Sequence, residues 1–149
     1  MLSEGRGTTR PFELVGVPGT DADQFADAMN ALELPGAYFR PAAFEPTFQK
    51  HAHTPCGGCQ IHVTDRDAFR PVITGVALIR TFRRLNPSSF AWRLPPYEYE
   101  KERLPIDILA GSDALRRQIE SDAPVADIAA SWREDERAFD RLRKPFLLY

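Results

Sequence analysis

The sequence predicts an α+β protein, a single domain over residues 1–149 in which a small mixed sheet packs against about four helices. Two kinds of apolar spacing lead to this class. Short stretches alternate polar and apolar residues as strands do, and longer stretches repeat apolar residues every three or four positions as helices do. Hydrophobic residues make up 43% of the chain and charged residues 27%, which is typical of a domain with one packed core.

Two stretches have the alternation of a half-buried strand. Residues 12–17 alternate and then end at the Pro18-Gly19 turn. From Cys59 to Thr64 the alternation is clearer, and it places His62 on the polar face of the strand. Both stretches are therefore predicted to be strands.

Other extended pieces are shorter or interrupted. Residues 37–40 and 44–48 are predicted to lie at a sheet edge or in a loop, because Pro41 and Pro46 cannot donate hydrogen bonds to a ladder. Residues 90–94 are predicted to form one more short strand.

The first two helices have clear start and stop signals. Thr20 or Asp21 can cap the first helix, and Gln24 stands where a capping box needs it. The second helix is predicted to begin at Pro71, which suits a first helical position, and to stop at Asn86 before a proline.

Two further helices are predicted in the C-terminal third. Ser112 and Asp113 cap the first of them, and Pro124 opens a last long helix whose apolar residues, including Trp132, lie near one face. The tail 145–149 is too apolar to be loose, so we expect it to be packed.

Charge and hydropathy argue against two classes of function. Nineteen basic and twenty-one acidic side chains give a net charge of -2, which does not suit a surface for nucleic-acid phosphates. No window approaches the roughly 20 apolar residues of a membrane span, and the start MLSEGRGTTR lacks the apolar core of a secretory signal. We expect neither a nucleic-acid partner nor a membrane span.

Both cysteines and two of the histidines fall in the stretch HAHTPCGGC, residues 51–59. His51, His53, Cys56 and Cys59 are zinc-type ligands, but structural zinc sites usually join ligand pairs from separate elements. A CxxC redox pair is the second alternative, although Cys59 enters a strand where such pairs precede a helix. The third alternative, which we favour, is a glycine-rich turn with one buried cysteine, one loop cysteine and no metal.

A second candidate site lies near the start, at residues 3–13. Glycines on both sides of Arg6 let the backbone approach a ligand closely, and the guanidiniums of Arg6 and Arg10 can each grip a carboxylate or phosphate with two hydrogen bonds. This arrangement suits an acidic sugar. The alternative is a frayed terminus with solvated charges. The stretch is not a phosphate-binding loop, because the glycine-lysine-serine/threonine ending is missing.

A third candidate is the polar face of the strand that carries His62. This histidine can hydrogen-bond a ligand or act as a general acid or base, and the alternative is a satisfied structural residue. Asp65 or Asp67 after the strand can simply cap the following helix. No serine-histidine-aspartate pattern appears, and nothing marks two carboxylates as a hydrolytic pair.

Four stretches together resemble the C-terminal half of the NamZ family, long known as a domain of unknown function. They are long, they occur in the same order, and they span nearly the whole chain. The stretches are SEGRGTTRPFEL at 3–14, residues 39–79, PPYEYEKERLPIDILAGSD at 95–113 and RKPFLLY at 143–149.

The resemblance implies a two-part enzyme, an exo-β-N-acetylmuramidase that releases terminal N-acetylmuramic acid from peptidoglycan fragments. In such proteins an N-terminal Rossmann-like domain carries the main catalytic glutamate, and the domain seen here follows it and lines the cleft between the two. We therefore expect residues 1–149 to be the auxiliary C-terminal domain, inactive alone, with the N-terminal domain absent from this chain. The resemblance implies no cofactor and a periplasmic or extracellular location.

The resemblance also implies roles for several side chains. Arg6 or Arg10 is expected to pair with the lactyl carboxylate of muramic acid, and Glu4 to orient hydroxyls or water at the domain boundary. No catalytic carboxylate is assigned in this chain beyond that supporting role. The expected substrate-binding residues are Glu4, Arg6, Thr8, Arg10, His51 and His62.

The chain departs from the family pattern within HAHTPCGGC. His53 and Cys59 look like local substitutions on a family loop, so two of the four zinc-type ligands are expected to be accidental. The residues that fit the pattern are His51, Cys56, Gly57 and Gly58. The alternative to a hydrolase domain is a free-standing, non-catalytic module that binds peptidoglycan or another acidic glycan.

Overall fold

The computed structural model describes residues 1–148 and has an α+β fold, which confirms the predicted class. Within these residues it contains three strands and six α-helices. The strands are β1 (Leu14–Val17), β2 (Ala37–Phe44) and β3 (Cys56–Val63). The helices are α1 (Ala22–Asn30), α2 (Pro71–Leu85), α3 (Pro105–Leu109), α4 (Ala114–Glu120), α5 (Val125–Ser131) and α6 (Arg133–Arg143), followed by a 3-10 turn (Lys144–Phe146).

The sheet has the order β1-β3-β2, with β3 in the centre. Both neighbouring pairs are antiparallel, so the prediction of a mixed sheet is corrected to a purely antiparallel one. Antiparallel pairing needs no crossover helix, and this is why all three strands can precede α2 with only one helix among them.

β2 is a single edge strand rather than two interrupted pieces. Pro41 lies within it, opposite Cys59, which confirms the edge prediction and corrects the predicted break. The edge is partly covered, because the side-chain amide of Asn30 donates to the Phe39 carbonyl at 2.8 Å and accepts from its N–H at 2.9 Å. A side chain on α1 thereby satisfies backbone groups that no further strand pairs.

The glycine-rich stretch is part of the central strand, so its prediction as a turn is wrong. β3 begins at Cys56, and both Gly57 and Gly58 pair with neighbouring strands. A side-chain carbon at Gly58 would collide with the carbonyl oxygen of Val15, and one at Gly57 would collide with that of Thr20. The glycines are needed because the backbone of β1 and the turn after it approach β3 too closely for any side chain.

One face of the sheet packs against α1 and α2. Asp21 caps α1 as predicted, since its carboxylate accepts from the Gln24 N–H at 3.0 Å. The buried hydrophobic residues form two clusters. The main cluster lies between the sheet, α1 and α2, and the second joins α2, α4 and α5, so the chain has a hydrophobic core of its own. The main cluster contains Val15, Val17, Phe25, Met29, Phe39, Cys59, Leu78 and Phe82, and the second contains Val76, Ile119 and Ile128.

Residues 90–94 do not form the predicted strand. Phe90 instead packs against Phe82 of α2 and edge-on against Trp92, with ring centroids 6.0 Å and 4.9 Å apart. Aromatic packing against a helix determines this segment, and the sheet edges lie elsewhere. The short helix α3 was not predicted.

The predicted last helix is divided into two. α5 ends at Ser131 and α6 starts at Arg133, with Trp132 between them. The tail is not packed as predicted, because Phe146 is 80% exposed and Leu148 is 96% exposed, while Tyr149 lies outside the described residues. Within residues 1–148, no helix is both long enough and apolar enough to cross a membrane.

Candidate functional site

The N-terminal segment, residues 3–13, is an ordered part of the fold rather than a frayed end. Ser3 is buried, and it forms an antiparallel bridge with Gly16 of β1 through hydrogen bonds of 2.9 Å and 3.2 Å. The N–H of Phe12 donates to the Glu4 carbonyl at 2.7 Å, which closes the segment into a loop. The charged side chains of the segment are therefore carried on a fixed backbone.

A second loop, residues 46–54, holds the N-terminal segment from one side. Thr47 donates to the Gly7 carbonyl from both its N–H and its hydroxyl, at 2.9 Å each. Gly7 has a φ of +83°, and a side-chain carbon there would lie 2.7 Å from the backbone nitrogen of Phe48. Only glycine suits this contact, because L-residues rarely adopt that φ and the two backbones touch.

Glu4 is the centre of the contacts between the two loops. Its carboxylate accepts from Lys50 Nζ at 2.6 Å and forms a salt bridge with Arg6 Nε at 3.2 Å. Burial alone raises the pKa of Glu4, but the hydrogen bond from Lys50 and the charges of Lys50 and Arg6 together hold that pKa below its ordinary value of 4.5. Glu4 is thus ionised at neutral pH and cannot serve there as a proton donor.

Arg6 remains accessible although it is paired. Its side chain is 52% exposed, and its guanidinium carbon lies 5.7 Å from the centroid of the Phe12 ring. The salt bridge uses Nε, so the terminal nitrogens of the fork can still donate to an anion. The ring and the carboxylate together fix the direction in which the guanidinium points.

Arg10 belongs to a polar chain that crosses onto the sheet. It donates to Glu13 at 2.9 Å, Glu13 accepts from Gln60 at 3.3 Å, and Gln60 accepts from Arg40 at 2.6 Å. The hydrogen bond from Arg10, followed by the one from Gln60, lowers the pKa of Glu13. Gln60 is buried and anchors the middle of this chain in the sheet, while Arg10 and Arg40 at its two ends are exposed.

His62 lies on the same sheet face as Gln60, two residues further along β3. Tyr38 is its cross-strand partner, with ring centroids 6.4 Å apart. The Nε2 atom of His62 is buried and has no hydrogen-bond partner within residues 1–148. A buried imidazole nitrogen without a partner is unusual, and in this conformation its burial closes it to a ligand. Substrate binding by His62 stays a prediction.

The hydroxyl of Thr8 and the ring of His51 are used within the loops. Thr8 donates to the Gly5 carbonyl at 2.6 Å and accepts from the Arg10 N–H at 3.1 Å. His51 Nε2 lies 2.8 Å from the Met1 carbonyl oxygen. Substrate binding by these two residues stays a prediction, and their present contacts shape the loops beside Arg6.

Lys50, Gln60 and Arg40 were missed as site residues by sequence reasoning. Only the alternation that places Gln60 beside His62 on one strand face could have indicated one of them. With them, three cationic side chains pair with two carboxylates and a fourth donates to Gln60, which leaves a local excess of positive charge. The cations are Arg6, Arg10, Arg40 and Lys50, and the carboxylates are Glu4 and Glu13.

A pocket of about 360 Å³ opens beside these charges. Glu4, Phe12 and Glu13 line one side, and the apolar floor is formed by the ends of β1 and β3 together with α2. Concave sites with an apolar floor and a few convergent polar groups are typical places for small ligands. The remaining lining residues are Val15, Ile61, Val63, Phe69, Pro71, Thr74, Gly75 and Leu78.

Neither cysteine is placed as a reactive thiol. Cys56 and Cys59 are both buried in β3, and their odd spacing sends them to opposite faces of the sheet, which corrects the prediction of one loop cysteine. Burial raises the pKa of Cys59 to about 12 and also raises that of Cys56. His53 lies on the exposed loop, so the four zinc-type ligands do not converge.

The pKa of Glu4 offers a direct test of the loop contacts. We expect Lys50→Met to raise the pKa of Glu4, because burial remains while the strongest lowering contact is lost. Since the pKa of Glu4 is lower in the folded chain, its ionised carboxylate adds to the free energy of unfolding above the ordinary pKa of 4.5. That contribution is lost as the pH falls through the folded pKa. Carboxyl NMR titration measures the shift, with the exposed Lys101→Met as control. An unchanged Glu4 pKa would contradict the contact.

The fold and part of the sequence match proteins that are already known. The chain is 41% identical over 148 residues to the peptidoglycan beta-N-acetylmuramidase NamZ of Bacillus subtilis strain 168, covering 99% of this chain and 34% of that protein. A crystal structure of a DUF1343 family protein from Bacteroides fragilis NCTC 9343 superposes with a TM-score of 0.84 at 24% identity, covering 99% of this chain and 38% of the other. The chain thus spans about a third of the length of each relative.

The family itself is identified by the whole sequence. Residues 1–149 match the sequence model described as "Exo-beta-N-acetylmuramidase NamZ, C-terminal". This match includes the N-terminal segment with Glu4 and Arg6, and the second loop with Lys50. These residues build the charged site. The chain therefore belongs to the NamZ C-terminal family.

Proposed function

We propose that this chain is the C-terminal domain of a peptidoglycan-processing glycoside hydrolase that releases terminal N-acetylmuramic acid, and that it lines the substrate cleft beside an N-terminal catalytic domain. The observation that carries this proposal is the exposed guanidinium of Arg6, held between Glu4 and Phe12 on an ordered segment. The 41% identity to a peptidoglycan beta-N-acetylmuramidase supports the same substrate class. The natural location of such a substrate is the periplasm or the cell exterior.

The charge of the site favours an anionic sugar over a neutral one. N-acetylmuramic acid carries a lactyl carboxylate that glucosamine lacks, and a planar guanidinium recognises a carboxylate with two parallel hydrogen bonds. Arg6 and Arg10 both retain free donors after their salt bridges, because each pairs through one nitrogen. The excess of cations over carboxylates gives the ligand's charge a partner without breaking the internal pairs.

The carboxylates of this chain suit a positioning role. A glycosidase needs one carboxylic acid with a raised pKa to protonate the leaving oxygen. Glu4 and Glu13 instead have lowered pKa values, because cations and hydrogen-bond donors stabilise their charged forms. We therefore assign to Glu4 the role of holding Arg6 and Lys50 in place, and, as the resemblance implies, we assign the catalytic acid to the N-terminal domain.

Placing the catalytic acid in the N-terminal domain predicts which proteins are active. We expect the full-length protein, in which the N-terminal domain precedes this chain, to hydrolyse a chromogenic N-acetylmuramic acid glycoside. The isolated chain 1–149 should show no turnover, because it lacks the proton donor. Release of the chromophore measures both, and the cooperative urea unfolding of the isolated chain confirms that it is folded.

Two outcomes would contradict this assignment. Turnover by the isolated chain would place the catalytic acid within residues 1–149. A full-length protein without turnover, together with saturable binding of muramic acid fragments by the isolated chain in calorimetry, would instead favour the free-standing glycan-binding module.

A further inference from the structure

The C-terminal apolar surface, defined by Phe139, Leu142, Phe146 and Leu148, lacks a cover within residues 1–148. These side chains are 62%, 67%, 80% and 96% exposed. The first three recur at three- and four-residue steps, so they form one stripe along α6 and the turn after it. No residue of α6 is buried against the described part of the chain.

The rest of α6 is a solvated helix surface. Acidic residues occupy its first turn, at 134–136, and Arg141 and Arg143 lie in its last turn, so the charges complement the helix dipole. α5, which directly precedes it, is anchored by the fully buried Ile128. The helix is thus well defined at its start and presents an apolar stripe of the size that is often functional on monomeric proteins.

The area of the stripe favours a covalently linked partner over a second copy of this chain. Each of its four side chains exposes on the order of 100 Å², so the stripe supplies about half of the roughly 800 Å² per partner that a stable complex of free proteins buries. A domain in the same polypeptide needs less area, because the linkage gives an effective concentration of about millimolar. The relatives contain such additional chain, since this chain covers only 34% and 38% of them.

We propose that the C-terminal apolar surface is the docking site of the N-terminal domain of the same polypeptide. This inference rests on the proposed function, in which this chain follows such a domain. The complementary surface on that domain is apolar, with basic side chains facing residues 134–136 and acidic side chains facing Arg141 and Arg143.

Cysteine labelling tests the docking directly. We expect a maleimide to modify position 142 in a Leu142→Cys variant at least tenfold more slowly in the full-length protein than in the isolated chain. Leu94→Cys is the matched control, because Leu94 is 72% exposed and Leu142 is 67% exposed, and its labelling rate should be the same in both proteins. Peptide mass mapping separates these positions from the buried Cys56 and Cys59.

Two results would overturn the docking proposal. One is an equal labelling rate at position 142 in both proteins. The other is a dimer of the isolated chain in sedimentation that Phe139→Asp abolishes, which would assign the surface to a second copy. A monomeric isolated chain supports the proposal.

The docking proposal and the proposed function can fail separately. Turnover of the muramic acid glycoside together with equal labelling rates would contradict only the docking proposal. Slow labelling of position 142 without turnover would contradict only the proposed hydrolase function. Phe139 and Leu142 are exposed, so urea unfolding of the isolated variants should match that of the unmodified chain and exclude misfolding as the cause.

Discussion

In the full-length protein, Arg6→Ala is expected to reduce the preference for an N-acetylmuramic acid glycoside over the matching N-acetylglucosamine glycoside by about 10- to 100-fold. A hydrogen bond to a charged group contributes about 1.5–3 kcal/mol, which corresponds to that range. The effect arises because only the muramic acid substrate carries the lactyl carboxylate. The ratio of kcat/KM for the two chromogenic glycosides measures it, and Arg10→Ala shows whether the second guanidinium shares the anion.

Arg117→Ala is the matched control for these arginine variants. Arg117 is also exposed and paired with a nearby carboxylate, Asp113, at 2.6 Å, but it lies on α4, away from the N-terminal segment. Its substitution should leave the preference unchanged. Unchanged discrimination in both Arg6→Ala and Arg10→Ala would show that the lactyl carboxylate is recognised elsewhere.

The second large effect concerns the centre of the sheet. Gly58→Ala is expected to destabilise the isolated chain by about 3 kcal/mol, because the added carbon meets the carbonyl oxygen of Val15 and neither backbone can move without breaking the ladder. Urea unfolding measures the loss as a lower midpoint at unchanged slope. Glu13 directly precedes the disturbed β1, so the contact from Gln60 to Glu13 should weaken.

Gly75→Ala is the control for a glycine without such a contact. Gly75 lies inside α2, and within residues 1–148 no atom outside the neighbouring backbone of that helix lies within 4 Å of the position that its side-chain carbon would take. This substitution should stabilise the chain by roughly 0.5–1 kcal/mol, because alanine favours the helix. Equal unfolding midpoints for Gly58→Ala and the unmodified chain would show that β1 and β3 are less closely paired than described.

Local signals were sufficient for several elements. The cap at Asp21, the proline at the start of α2 and the edge position of Pro41 each follow from the chemistry of one or two residues, and all three are found in the structure. The charged, glycine-rich character of the N-terminal segment is likewise a property of its local sequence. In each case the physical cause lies within a few residues of the chain.

Predictions failed where a distant contact decides the local structure. Gly57 and Gly58 were expected in a turn because glycine favours turns, but they lie in β3 because β1 approaches too closely for side chains. Residues 90–94 are predicted as a strand from the sequence, but Phe90 packs on α2 instead. Composition over a short window cannot reveal such neighbours.

The same limit applies to the site. The contact from Lys50 to Glu4 joins residues 46 positions apart, and that from Arg40 to Gln60 depends on the register of β2 against β3. A one-residue shift of that register would send Arg40 to the other face of the sheet and break the polar chain. Only the assembled sheet brings these cations together.

The sequence by itself determined the fold class, the family and the presence of two arginines near the start, because composition, spacing and long ordered motifs are properties of the chain alone. The tertiary structure decided that CGGC, the end of HAHTPCGGC, begins the central strand, with its cysteines on opposite faces of the sheet and its glycines leaving room for the backbone of β1. It also decided that Arg6 is held by Glu4 and Phe12, because ion pairs and ring contacts depend on distances in space that residue order does not contain.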